Sequence, residues 1–153
     1  MVAQFDLELE QMDLKTAFLY SDLDETILMR QPEGYVERGK KDCVCKLNRF
    51  LYGLKQSPRQ WNKRFDKFMA HISFIRSQFD HCVYFRFRPD NSLVILLLYV
   101  DDILIVSNNV EEVMRVKVEL NKEFDMKDMG DVSRILGIDI QRDRKQSKLC
   151  LSQ

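Results

Sequence analysis

The sequence predicts an α+β fold, an antiparallel sheet with helices packed on one face. Three observations carry this. Short alternating or wholly apolar segments bounded by turn formers recur along the 153 residues and read as strands. Two longer segments carry apolar residues at helical spacing behind clear start signals. The strands also follow one another directly, without the strand–helix alternation that a parallel sheet demands.

In chain order, residues 7–14 (Leu-Glu-Leu-Glu-Gln-Met-Asp-Leu) alternate as a half-buried strand, with Leu7 and Leu9 on one face and Glu8, Glu10 and Met12 on the other. Asp13 ends this strand on the otherwise apolar face, aimed inward, where it reads either as a metal ligand or as a cap. Lys15 to Leu19 turns into a short helix. Ile27 to Tyr35, with Gln-Pro-Glu-Gly inside it, reads as irregular, and Val36 to Lys41 as a charged loop. Cys43 to Phe50 alternates as a strand, and Gly53 breaks the chain where positive φ or close backbone approach is needed.

Ser57-Pro58-Arg59-Gln60 is a helix start, with Ser57 as N-cap, Pro58 at the first helical position and Gln60 completing a capping box. Trp61, Phe65, Phe68, Met69 and Ile72 then mark its core stripe. Phe79 to Arg88 reads as a strand, and Pro89-Asp90-Asn91-Ser92 as the turn after it. Leu93 to Ser107 is a hairpin of two buried strands with Asp101 and Asp102 at its turn. Asn109 caps a second helix, Glu112 stands at its capping-box position, and Val113, Val116, Leu120 and Phe124 form its buried face. Gly130 ends a loop. Residues Ile135 to Gln141 and Lys148 to Leu151 make a final hairpin around Arg144-Lys145-Gln146-Ser147.

Composition sets bounds on function. One globular domain, residues 1–153, is expected from the length and from 45% hydrophobic and 31% charged residues. The longest apolar run, Leu93 to Val100, is far short of the ~20 residues that span a bilayer, and no secretory leader pattern opens the chain. The four cysteines, Cys43, Cys45, Cys82 and Cys150, form no zinc or disulfide framework, which fits a reducing, intracellular setting. The net charge of zero conceals a basic middle, because residues 38–88 carry thirteen Lys and Arg against three Asp. That is either a footprint for a polyanion or a solvated face.

A charged pair at a hairpin turn is an ordinary solvated turn unless something uses it. Asp13, Asp101 and Asp102 converging at one sheet surface would make a hard oxygen site suited to Mg²⁺, which binds few carboxylates and takes the rest of its shell from water and phosphates. Two such ions serve in-line displacement at phosphorus. No phosphate-binding Gly-x-x-x-x-Gly-Lys loop is present, and His71 and His81 have no nucleophile beside them.

Three blocks then resemble the reverse transcriptase of copia-type retrotransposons. They are Gln11-Met12-Asp13-Leu14-Lys15-Thr16-Ala17-Phe18-Leu19 with Gln31-Pro32-Glu33-Gly34-Tyr35; Leu51-Tyr52-Gly53-Leu54-Lys55-Gln56-Ser57-Pro58-Arg59-Gln60-Trp61; and Tyr99-Val100-Asp101-Asp102, with Phe124 to Gly130 and Leu136-Gly137-Ile138 downstream. Together, in order, they cover nearly the whole chain. The resemblance implies a polymerase palm with partial fingers and no thumb, truncated at both ends, the thumb, ribonuclease H and integrase of a polyprotein lying elsewhere. It implies an RNA-directed DNA polymerase in which Asp13, Asp101 and Asp102 hold two Mg²⁺ ions, with Mn²⁺ as a substitute, for attack of a primer 3′-hydroxyl on a dNTP.

By the same resemblance Phe18 is a steric gate, although its ring is also good core material. Ala17, Gly53, Lys55 and Gln56 lie near the nucleotide. Tyr99, Val100, Ser57, Pro58 and Arg59 lie along the primer and an RNA or DNA template. Lys127 is a candidate proton donor or simply a solvated charge, and Leu136-Gly137-Ile138 begins a primer-gripping hairpin. The chain departs from the family pattern at Tyr20-Ser21, where a small polar residue and Gly usually stand. A non-catalytic relic or nucleic-acid-binding remnant of a transposable element, and a palm-type transferase acting on free nucleotides, are the other expectations.

Overall fold

The computed structural model describes residues 1–21, 23, 25–89 and 92–153. Its elements are β1 (Glu8–Leu14), a 3₁₀ turn (Ala17–Tyr20), β2 (Leu28–Arg30), β3 (Val44–Lys46), α1 (Ser57–His71), β4 (Ile75–Arg76), β5 (Val83–Phe87), β6 (Leu93–Tyr99), β7 (Asp102–Ser107), α2 (Val110–Glu123), β8 (Met126–Asp131), β9 (Arg134–Ile135), β10 (Ile138–Asp143) and β11 (Lys148–Ser152). The chain divides into two compact units, Met1–Ala17 with Phe65–Gln153, and Phe18–Arg64.

In the first unit an antiparallel six-stranded sheet runs β4-β5-β6-β7-β1-β8, beside a three-stranded sheet β11-β10-β9. One face of the large sheet is the core. Met12, Leu14, Val94, Leu96, Leu98, Ile103 and Ile105 point to it, covered by Val113, Val116 and Leu120 of α2. Phe65 of α1, Tyr84 of β5 and Phe124 at the end of α2 join them through ring contacts. The α+β class and the one-sided helix packing are therefore as expected.

The face assignment of β1 is reversed. The helix side carries Glu10, Met12 and Leu14, while Leu9, Gln11 and Asp13 lie on the helix-free side. Glu10 can face the core because Lys117 of α2 reaches it as a partner. Asp13 is thus on the open face, not aimed into the core.

Other expectations also shift. β8 is a strand where a loop ending at Gly130 was expected, because its polar sequence Met-Lys-Asp-Met-Gly-Asp suits only an exposed sheet edge. Within Phe79 to Arg88 only Val83–Phe87 is strand, and Phe79 is fully exposed. Asp90 and Asn91 of the expected turn lie outside the described residues, although Arg88 N–H donates to Ser92 O at 3.0 Å across it. Asn109 does cap α2, accepting from the N–H of Glu111 and Glu112, but Glu112 does not close a capping box. Its carboxylate is buried against Arg86, Arg88 and Arg115 instead.

In the second unit β2 and β3 pair as a short hairpin, replacing the irregular segment and shortening the strand expected over Cys43 to Phe50. Gln31 pins the loop between them, donating to Lys40 O and Cys43 O and accepting from Glu37 N–H. The start of α1 is displaced by one residue. Ser57 is its first helical residue, and its buried hydroxyl donates backward to Leu51 O at 2.7 Å, while Gln56 O receives the Gln60 N–H. All four cysteines are free thiols. Among the described residues no helix is long and apolar enough to cross a membrane.

Candidate functional site

The β6–β7 hairpin closes with a two-residue turn, Val100-Asp101, since Tyr99 and Asp102 already pair. Asp102 therefore stands in β7 and not in the turn. Its other neighbour is Asp13, the register partner across β1, and Asp13 is in turn the partner of Lys127 on β8. Directly paired residues of an antiparallel sheet share a face. Tyr99, Asp102, Asp13 and Lys127 thus form one row across four strands, on the face that the helices leave open.

The turn is strained. Val100 has φ 55, a conformation costly for a β-branched side chain. Such outliers persist where the surroundings over-determine them, and they cluster at functional sites. Asp101 O accepts the Leu14 N–H at 2.8 Å, which ties the turn to the end of β1. Past that point Lys15 meets Asp125 both backbone to backbone, at 3.0 Å, and as an ion pair at 2.9 Å.

Both paired carboxylates are half-buried. Asp102 Oδ1 accepts one hydrogen bond, from Gln11 Nε2 at 3.0 Å. Among the described residues Asp13 makes no side-chain hydrogen bond, and neither carboxylate has an ion-pair partner. Like charges directly opposite one another destabilise a sheet, so this arrangement is one that a bound cation would relieve. Among the described residues no three His, Cys, Asp or Glu side chains gather into a metal-holding group. The register pairs Asp13 directly with Asp102, and Asp101 precedes Asp102 in the turn of the same hairpin. Two half-buried carboxylates are a number of protein ligands that Mg²⁺ can use, since it needs only one or two beside water and substrate oxygens.

Of the other expected site residues, Tyr99 and Lys127 are exposed on the row, and Ala17 is fully buried after Thr16, itself at φ 57. Within the Phe18–Arg64 unit, Phe18 is buried and its ring centroid lies 4.4 Å from that of Tyr52. Gly53 takes φ +91 with nothing crowding it, so positive φ and not close approach accounts for the glycine. Gln56 donates to Glu25, and Lys55, Pro58 and Arg59 are exposed. Part of the basic middle segment is spent internally, since Lys40, Arg76, Arg86 and Arg88 pair with Glu37, Asp66, Glu119 and Glu112.

Sequence reasoning passed over Gln11, whose signal was available as a second polar residue on the face of Asp13. It also passed over Lys117, which nothing short of the packing of α2 reveals. Burial alone would lower the Lys117 ammonium, but hydrogen bonds to Asp128 and Glu10 more than reverse this and hold its pKa raised.

The fold is an α+β domain that carries paired carboxylates on the helix-free face of an antiparallel sheet, and comparison with known proteins gives its family. The profile of the family described as "Reverse transcriptase (RNA-dependent DNA polymerase)" matches residues 1–153. The chain is 52% identical over its full length to 12% of the retrovirus-related Pol polyprotein from transposon TNT 1-94 of Nicotiana tabacum. It is 40% identical over 86% of its length to 42% of a putative transposon Ty5-1 protein of Saccharomyces cerevisiae. It is 35% identical over 88% of its length to 9% of the Pol polyprotein from transposon RE1 of Arabidopsis thaliana. No solved structure matches it. The chain belongs to the reverse transcriptase family, of the copia retrotransposon type. It spans less than half the length of each of these relatives.

Proposed function

We propose that this domain carries the catalytic carboxylates of an RNA-directed DNA polymerase that joins a dNTP to a primer 3′-hydroxyl on an RNA or DNA template. The observation behind this reading is the in-register pair Asp13–Asp102, half-buried on the open face and without an ion-pair partner among the described residues. Asp13 and Asp102 would hold Mg²⁺ or Mn²⁺, with Asp101 close by in the strained turn. When bound, two such ions supply the Lewis acidity that in-line displacement at the α-phosphate requires.

The chain's own residues supply the rest. Tyr99, exposed beside Asp102, offers a ring against the primer end, and Val100 fixes the turn that presents it. Lys127, one strand beyond Asp13, is placed to give a proton to departing pyrophosphate, a step of general-acid type. In the Phe18–Arg64 unit, Phe18 is proposed as the steric gate, and Gly53, Lys55, Gln56 and Arg59 as contacts to nucleotide and template. An intracellular setting, in a particle or the nucleus, belongs to the same proposal, as do partner segments of the polyprotein.

Primer extension on poly(rA)/oligo(dT) with Mg²⁺ or Mn²⁺ tests it, comparing the native chain with Asp102→Asn and Asp101→Asn. Extension abolished by either substitution supports the reading. Salt-dependent nucleic-acid binding with no extension, indifferent to both substitutions, supports a non-catalytic binding remnant instead. Turnover of free nucleotides without primer supports a small-substrate transferase.

A further inference from the structure

Gln11 is buried on the face of β1 that it shares with Leu9 and Asp13, a position where a long polar side chain requires a partner. Its partner is Asp102. The backbone neighbour of Gln11 on β7 is Leu104, so Asp102 stands diagonally across, two residues along the strand. The amide reaches over that diagonal and donates Nε2–H to Oδ1 at 3.0 Å. This is a charge-assisted hydrogen bond, which is stronger and more directional than a neutral one.

The donor type matters as much as the contact. A lysine or arginine at this position would neutralise Asp102 and compete with any cation for it. An amide leaves the full negative charge in place and occupies one lone pair of one oxygen. It also restrains rotation about the terminal bond of the aspartate, a torsion that is intrinsically broad. The opposing Asp13 carboxylate has no such tether among the described residues. One member of the pair is therefore held, and the other is left to adjust.

We infer that Gln11 is a positioning residue that orients the Asp102 carboxylate toward a divalent cation shared with Asp13, an inference that rests on the metal-binding reading proposed above. Partners one step removed from a metal typically change its affinity by ~10–100-fold when lost.

The test is Mn²⁺ titration of the metal-free 153-residue chain, followed by electron paramagnetic resonance without nucleotide or primer. Gln11→Met keeps the side-chain length and removes the donor, while Gln11→Asn keeps the amide and withdraws it beyond reach. Urea unfolding midpoints are recorded alongside, so that a variant that fails to fold is replaced by the other. Folded Gln11→Met and Gln11→Asn should each bind Mn²⁺ about tenfold more weakly than the native chain. Equal affinity in native chain and folded variants overturns the role of Gln11 while leaving the metal reading standing. Failure of the native chain itself to bind Mn²⁺ at millimolar concentration overturns both.

Discussion

Asp13 and Lys127 are direct partners across β1 and β8, so that the cation stands on the far side of Asp13 from Asp102. No ion pair joins Lys127 to a carboxylate among the described residues, and its side chain is exposed. A unit charge one strand away, about 5 Å, is worth roughly 0.8 kcal/mol through a water-like medium. Against a divalent ion that figure doubles, so Lys127→Ala should tighten Mn²⁺ binding roughly fifteenfold at low ionic strength, with the difference vanishing near 1 M salt. In primer extension the same substitution should slow turnover if the lysine gives up a proton. Unchanged metal affinity at low salt would show that its charge does not reach the pair.

Val100 offers a second handle. A valine at φ 55 stores strain that glycine does not feel. Relief of about 1–3 kcal/mol is offset in part by the ~1 kcal/mol entropy that glycine loses on folding. Val100→Gly should raise the unfolding free energy by about 1 kcal/mol in urea melts. A lower unfolding free energy would mean that the valine methyls make contacts outweighing the strain.

How much of this was legible depended on whether the signal was local. The β6–β7 hairpin and α2 announced themselves, since apolar runs, turn formers and the Asn109 cap act within a few residues. β8 did not, because an exposed edge strand needs no apolar pattern and owes its existence to pairing with β1. The core face of β1 was misread for a similar reason. Glu10 looked like a solvent residue until Lys117, over a hundred residues away, was packed against it. Of the candidate site, the residue types and the hairpin that carries Asp101 and Asp102 were readable, whereas the direct register of Asp13 with Asp102 and the hold of Gln11 on Asp102 are products of tertiary pairing.

Glu112 illustrates the same competition energetically. Its backbone N–H is capped by Asn109, but its side chain lies buried among arginines, 2.9 Å from Arg88 Nε and 3.8 Å from Arg86 Nη2. Arg86 is also buried, over the ring of Phe74, with Ile72 O and Glu119 as its remaining partners. Removing the central carboxylate leaves buried positive charge uncompensated, which costs about 3–5 kcal/mol. Losing the cap alone costs ~1 kcal/mol. Glu112→Ala should thus destabilise well beyond Asn109→Ala in parallel urea melts. Equal losses would reduce Glu112 to a helix-end residue.

Lys117 ties β1 to β8 from beneath, pairing with Glu10 and, at 2.6 Å, with Asp128. Burial alone would raise the Asp128 carboxyl, but hydrogen bonds from Lys117 and from the Gly130 N–H at 2.9 Å outweigh it and hold its pKa below 3.8. A depressed carboxyl stabilises the fold above its unfolded value, and that contribution disappears as pH falls through the folded value. Lys117 is shifted the other way, above 10.5, so its contribution is complete below that value and is lost as pH climbs past the folded one. The triad accordingly supports the sheet across the neutral range and weakens at both extremes. Lys117→Met should cost about 3 kcal/mol near pH 7, the lower end of the range for a broken buried pair because Asp128 is half exposed. Its penalty should shrink in acid, where the native chain loses the same interaction. Urea unfolding at about pH 3 and pH 7 decides this, and a penalty that does not change with pH would assign Lys117 to packing alone.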